Sequence, residues 1–92
     1  MALIWPAKGS GETKDYAIDW TAELAGDTIT SSNWIVPTGI TQTTPTPSFT
    51  SATTTIWLLG GTIGKTYEVT NTVQTAGGRV LVQSVDLQIV QK

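Results

Sequence analysis

The sequence predicts an all-β domain built from antiparallel strands. Three observations point there. Thr, Val, Ile and Trp are frequent while charged residues are only 13% of the chain, a composition suited to half-buried pleated surfaces. Short runs alternate apolar and polar side chains with a period of two. Glycine and proline punctuate those runs, and no window repeats apolar residues at helical spacing. A length of 92 residues allows one domain. Residues 1–14 read as an N-terminal arm and linker, and residues 15–92 as the folded domain.

In the arm, Ala2, Leu3, Ile4 and Trp5 are apolar, and Pro6 stops regular pairing. Lys8-Gly9-Ser10-Gly11-Glu12-Thr13-Lys14 has the composition of a flexible polar linker. A tethered apolar segment of this kind has two outcomes. It folds back as an edge strand on its own domain, or it adds a strand to a neighbouring subunit with Trp5 filling a pocket. Leu3, Ile4, Trp5 and Pro6 are therefore candidate partner-binding residues.

Asp15 to Ala25 reads as the first strand of the domain, with Tyr16, Ile18 and Trp20 on the core face and Asp15, Ala17 and Asp19 opposite. Gly26-Asp27 is a turn. Thr28 to Pro37 is the next strand, with Trp34 and Val36 sharing the core face. Ile29 falls out of phase, so either it packs elsewhere or a bulge near Ser31-Ser32 shifts the register. After the turn Pro37-Thr38-Gly39, Ile40 to Thr44 is a short strand. The prolines of Thr43-Thr44-Pro45-Thr46-Pro47-Ser48 suit an extended edge segment. It reads as a crossover between two sheets, with Phe49 anchoring its return to the core.

The stretch from Thr53 to Thr75 organises the rest. Thr53 to Leu59 is a β-branched and apolar block, and Trp57 is assigned to the core. Gly60-Gly61-Thr62-Ile63-Gly64 supplies the glycines of a tight corner. Tyr67, Val69, Asn71 and Val73 then share one face, with Glu68, Thr70, Thr72 and Gln74 on the other. Leu, a glycine corner and Tyr-x-Val-x-x-x-Val form the pattern of strand E, the E–F corner and strand F in immunoglobulin-like and fibronectin-III-like sandwiches, with Tyr67 at the tyrosine-corner position. The predicted architecture is such a sandwich, of about seven strands. Gly64-Lys65-Thr66 imitates the end of a phosphate-binding loop. Leu59 stands where that motif needs its first glycine, and a strand follows instead of a helix.

Ala76-Gly77-Gly78 is a hairpin turn. Arg79 to Gln91 is the last strand, with Val85, Leu87 and Ile89 inward and Asp86, Gln88 and Val90 opposite. Its first half, Val80-Leu81-Val82, is apolar on both faces, which marks these three as partner-binding candidates.

Composition also restricts function. The chain has no cysteine, so it has neither disulfides nor thiolate chemistry, and assembly in a cytosol is permitted. It has no histidine, which removes the commonest general base and metal ligand. A net charge of −2 with five cations disfavours nucleic acid as a partner. No apolar run is long enough to span a membrane, and the start is unlike a signal peptide. Five of the seven acids, Glu12, Asp15, Asp19, Glu23 and Asp27, lie within residues 12–27. Asp15 and Asp19 would be about 13 Å apart along a strand, too far for a catalytic pair. The calcium-loop spacing is absent too. These acids read as a solvated face or as half of an interface with a basic partner. No catalytic residue, cofactor site or metal site is assigned.

The order of these features resembles the small Ig-like fiber–tail adaptor proteins of tailed bacteriophages, the gp77-like family. The resemblance is carried by Ile4-Trp5-Pro6-Ala7-Lys8, by Asp15-Tyr16-x-x-Asp19-Trp20, and by Gly26-Asp27-Thr28-Ile29-x-Ser31-Ser32-x-Trp34-x-Val36-Pro37-x-Gly39-Ile40-Thr41. It continues through Thr54-Thr55-x-Trp57-Leu58-x-Gly60-Gly61-Thr62-x-Gly64-x-x-Tyr67-x-Val69-Thr70-Asn71 and Thr75-Ala76-Gly77-Gly78-Arg79. The family usually has Lys-Asp-Pro-x-Glu after Trp-Pro. Here Lys8-Gly9-Ser10-Gly11-Glu12 stands there, which implies a more flexible arm. The resemblance implies a non-enzymatic virion component, assembled in the host cytoplasm and ringing the tail in several copies. Its implied partners are a tail tube, neck, nozzle or portal-adaptor protein and a tail fiber or spike. A carbohydrate-binding or virion-decoration module is the alternative, and it requires an exposed Trp.

Overall fold

Alternating β-branched and polar residues form strands throughout. The computed structural model describes residues 3–92, so Ala2 of the predicted arm lies outside the described residues. The elements are β1 (Leu3–Ile4), β2 (Lys8–Gly9), β3 (Thr13–Asp19), α1 (Thr21–Leu24), β4 (Ile29–Ile35), β5 (Ile40–Gln42), β6 (Ser48–Phe49), β7 (Thr53–Gly60), β8 (Thr66–Thr75) and β9 (Val80–Val90). One sheet runs β1-β9-β8-β4, with β2 also on β9. The other runs β3-β7-β5, with β6 also on β7. All pairings are antiparallel except those of β1 and β2, which lie parallel to β9.

Period-two alternation selects the interior. Tyr16 and Ile18 of β3, Ile56 and Leu58 of β7, Tyr67, Val69 and Val73 of β8, and Val85, Leu87 and Ile89 of β9 are buried, together with Trp20. Trp34 and Val36 are half-buried against them. The two sheets are also joined by a buried polar network. Trp20 Nε1 donates to Thr54 Oγ1 and to Asn71 Oδ1, both at 3.1 Å, and Thr54 Oγ1 donates to Asn71 Oδ1 at 2.7 Å. Asn71 Nδ2 donates to Ser32 Oγ and to the Asn33 carbonyl, both at 2.9 Å. Every polar atom of the Asn71 side chain is thereby paired, as a buried amide requires.

The Tyr67 hydroxyl accepts from the Thr62 N–H at 2.9 Å. Gly61, next to Thr62, has φ +101°, and a Cβ there would come within 2.6 Å of Ile89 Cγ1. Only glycine fits both the dihedral and the space. The register of β4 shifts between Ile29 and Ser31, so a bulge brings Ile29 into the same interior as Trp34.

Several expectations are corrected. The first strand of the domain stops at Asp19. Asp19 Oδ1 accepts from the Thr21 N–H at 3.0 Å and the Thr21 hydroxyl at 2.6 Å, and this local bond diverts the chain into α1. Ala25 and Gly26, both at positive φ, close that turn, and Leu24 is buried. Trp57 is not in the core. Thr54, Ile56 and Leu58 take the inner face of β7, so Trp57 is half-buried on the outer one. The proline-spaced connector joins β5 to β6, which both pair with β7, so it stays on one sheet and does not cross. Phe49, expected to anchor the connector, is exposed.

The predicted flexible linker is an ordered turn. Glu12 N–H donates to the Gly9 carbonyl at 3.1 Å and Glu12 Oε1 accepts from the Gly9 N–H at 2.7 Å. Glu12 also pairs with Lys92 at 3.0 Å. Lys8 is fully buried, and its Nζ donates to the Gly60 carbonyl at 2.7 Å and the Gly9 carbonyl at 2.9 Å. Burial pulls the Lys8 pKa below its usual value, with Glu12 acting against that shift. Carbonyl partners make this burial tolerable for the ammonium group.

Candidate interaction surfaces

Among the described residues no three His, Cys, Asp or Glu side chains converge as a metal-binding group. No described helix is long and apolar enough to cross a membrane. The features that stand out are surfaces.

The predicted partner residues separate into two groups. Trp5 belongs to the protein's own interior. Its ring stacks on Tyr16 at 4.8 Å between centroids and lies 6.0 Å from Trp34. Its indole N–H donates to the Ala17 carbonyl and its backbone N–H to the Asp86 carbonyl, both at 3.0 Å. Of the two outcomes expected for the arm, the structure takes the first: Leu3–Ile4 and Lys8–Gly9 both pair with β9 and seat Trp5 at home. Leu81 also turns inward and packs against the core. Leu3, Ile4, Pro6, Val80 and Val82 are exposed.

Register then gathers half of the eight large exposed apolar residues among those described on one surface. Val85, Leu87 and Ile89 point inward from β9, so Val80, Val82, Ser84 and Asp86 point outward. Asp86 is opposite Ile4 on one side and Glu68 on the other. Ser84 is opposite Thr70, which is opposite Ile35, and Val82 is opposite Thr72. Ile4, Ile35, Val80 and Val82, at 78%, 61%, 61% and 61% exposure, therefore share the outer face of the β1-β9-β8-β4 sheet. Ile35 was not singled out from the sequence, although its phase follows from an inward Trp34.

At one end of this face, the β8–β9 turn is tied to the loop after α1. Asp27 Oδ1 accepts from the Gly77 N–H at 3.0 Å and the Thr28 N–H at 2.8 Å. Arg79 donates to the Leu24 carbonyl at 3.1 Å and the Glu23 carbonyl at 3.4 Å, closing the carbonyl end of α1. The Thr75 hydroxyl, followed by the Thr28 N–H, holds the Asp27 carboxyl below the usual carboxylate range. These ties fix the end of the sheet where Val80 emerges.

The family model for podophage GP4 fiber-tail adaptor protein gp77 matches residues 8–88. The chain belongs to this family of fiber-tail adaptors. The matched span starts at the buried Lys8 and runs through both sheets, leaving β1 and the end of β9 outside it. Membership in the gp77 family gives the chain a structural adaptor role in the phage virion tail. No curated protein matches the chain.

Proposed function

We propose that this protein is a non-enzymatic adaptor that attaches tail fibers or spikes to the tail of a podophage. It contacts a tail tube, neck, nozzle or portal-adaptor protein on one side and a fiber on the other. Copies form a ring around the tail, and assembly takes place in the host cytoplasm. The observation that carries the reading is the set of four exposed apolar side chains on one sheet of a family adaptor: Ile4, Ile35, Val80 and Val82. A small domain that leaves such residues on one face has a surface suited to a partner. Leu3 and Pro6 are exposed at the β1 edge, beside that surface. The strand orders and the Tyr67–Thr62 contact support an immunoglobulin-like sandwich as the scaffold.

The test is reconstitution. The purified protein is mixed with the tail and fiber proteins of the same phage, singly and together, and the products are sized by light scattering. A ternary complex that forms only in the presence of the adaptor is the expected result. An adaptor that binds neither component would refute the reading.

A further inference from the structure

Glu68 and Asp86 face each other across β8 and β9, on the outer side of the sheet. Directly opposed residues in an antiparallel pair hold their Cβ atoms about 4.5–5.5 Å apart, and like charges in that arrangement are destabilising. Among the described residues neither carboxylate is in an ion pair, and the one ion pair joins Lys92 to Glu12. The acidic couple is flanked by apolar side chains. Ile4 lies beside Asp86, and Ile35 is opposite Thr70, two residues along β8 from Glu68. Val82 and Val80 continue the face toward the β8–β9 turn.

Resting on the adaptor reading, we infer that this face docks a basic, apolar-flanked surface of another virion protein, with one Arg or Lys placed between Glu68 and Asp86. A long cationic side chain fits such a place. Its stem lies along Ile4 and Ile35 while its head reaches both carboxylates. A second copy of this chain applied face to face would bring four carboxylates together, so charge selects a foreign partner. An unfavourable pair retained on an otherwise regular sheet is also what a binding surface costs in stability.

The experiment measures affinity of the full chain for the purified tail protein and the purified fiber protein across a range of salt. Wild type is compared with Glu68→Gln/Asp86→Asn, with Glu68→Lys, with Ile35→Ser/Val82→Ser, and with Glu23→Gln as a remote control. For one of the two partners, the neutral double variant weakens binding at least tenfold and flattens its salt dependence. Glu68→Lys and Ile35→Ser/Val82→Ser abolish that binding, and Glu23→Gln leaves it unchanged. The neutral double variant keeps or raises the thermal midpoint, so lost binding is not lost folding. Wild-type affinity and salt dependence in the neutral variant for both partners would overturn the surface but not the adaptor reading. Wild type that binds neither partner overturns both. A wild-type dimer dispersed by Ile35→Ser/Val82→Ser would make the occupant a second copy and overturn the inference.

Discussion

Trp20 Nε1 and Asn71 Oδ1 meet at 3.1 Å between the two sheets. The contact ties the end of β3 to the middle of β8, and Thr54 of β7 joins it. Replacing Asn71 by Leu leaves the Thr54 hydroxyl without its acceptor and the Trp20 N–H with Thr54 Oγ1 alone. Urea denaturation should then show a loss of about 1–3 kcal/mol, the cost of one stranded buried group. An unchanged midpoint would show that the network contributes little.

Trp5 gives a second prediction. Its ring is buried against Tyr16 and Trp34, so Trp5→Ala should destabilise the isolated monomer by about 3–5 kcal/mol, as large-to-small core changes do. Ile4→Ser, at an exposed position, should leave the midpoint within about 0.5 kcal/mol. If both variants unfold like wild type, the segment does not contribute to the core.

Gly61 and Gly64 form a matched pair. Both have positive φ, but a Cβ on Gly61 would collide with Ile89 while one on Gly64 meets open space. Gly64→Ala should cost about 1–2 kcal/mol for the left-handed backbone alone. Gly61→Ala should cost about 1–3 kcal/mol more, for overpacking. Thermal midpoints of the two variants measure the difference.

Acid and alkali should act through named groups. The Gly9 N–H, then Lys92, lowers the Glu12 pKa, and the Thr21 hydroxyl lowers that of Asp19. With Asp27 also lowered, their stabilisation is fully present above the ordinary values of 4.5 and 3.8. It is lost as the pH falls through the lower folded values. Denaturation midpoints should therefore drop below about pH 4.5, and Glu12→Gln should shrink that drop. Tyr16 behaves in the reverse sense: burial pushes it up to about 12 from 10.0. Stability should fall as pH rises between those values, because the unfolded chain ionises first. Lys8 acts against this limb, since its lowered pKa recovers stability as pH approaches 10.5. The difference between wild type and Tyr16→Phe isolates the tyrosine contribution.

The sequence made Tyr67, Val69, Val85, Leu87 and Ile89 legible because their strands alternate without ambiguity. It did not decide the phase of Thr53 to Leu59, which is apolar at both. There Thr54 turns inward for a hydrogen bond with Trp20, 34 positions away, and Trp57 is left outside. The Lys8-to-Lys14 segment read as a linker for a similar reason. Its order depends on the Gly60 carbonyl, 52 positions from Lys8. The alternation already put Glu68 and Asp86 on outer faces, but only the β8–β9 register brings them opposite each other.

The parallel pairing of β1 and β2 with β9 sets how the molecule responds to force. A pull at the start of β1 and at the end of β9 draws the two strands past each other along their length. The hydrogen bonds between them, from Leu3↔Val85 to Gly9↔Val90, are then strained together in shear and cannot unzip singly. With Trp5 and Lys8 set behind that ladder, tension along this axis loads the whole ladder at once.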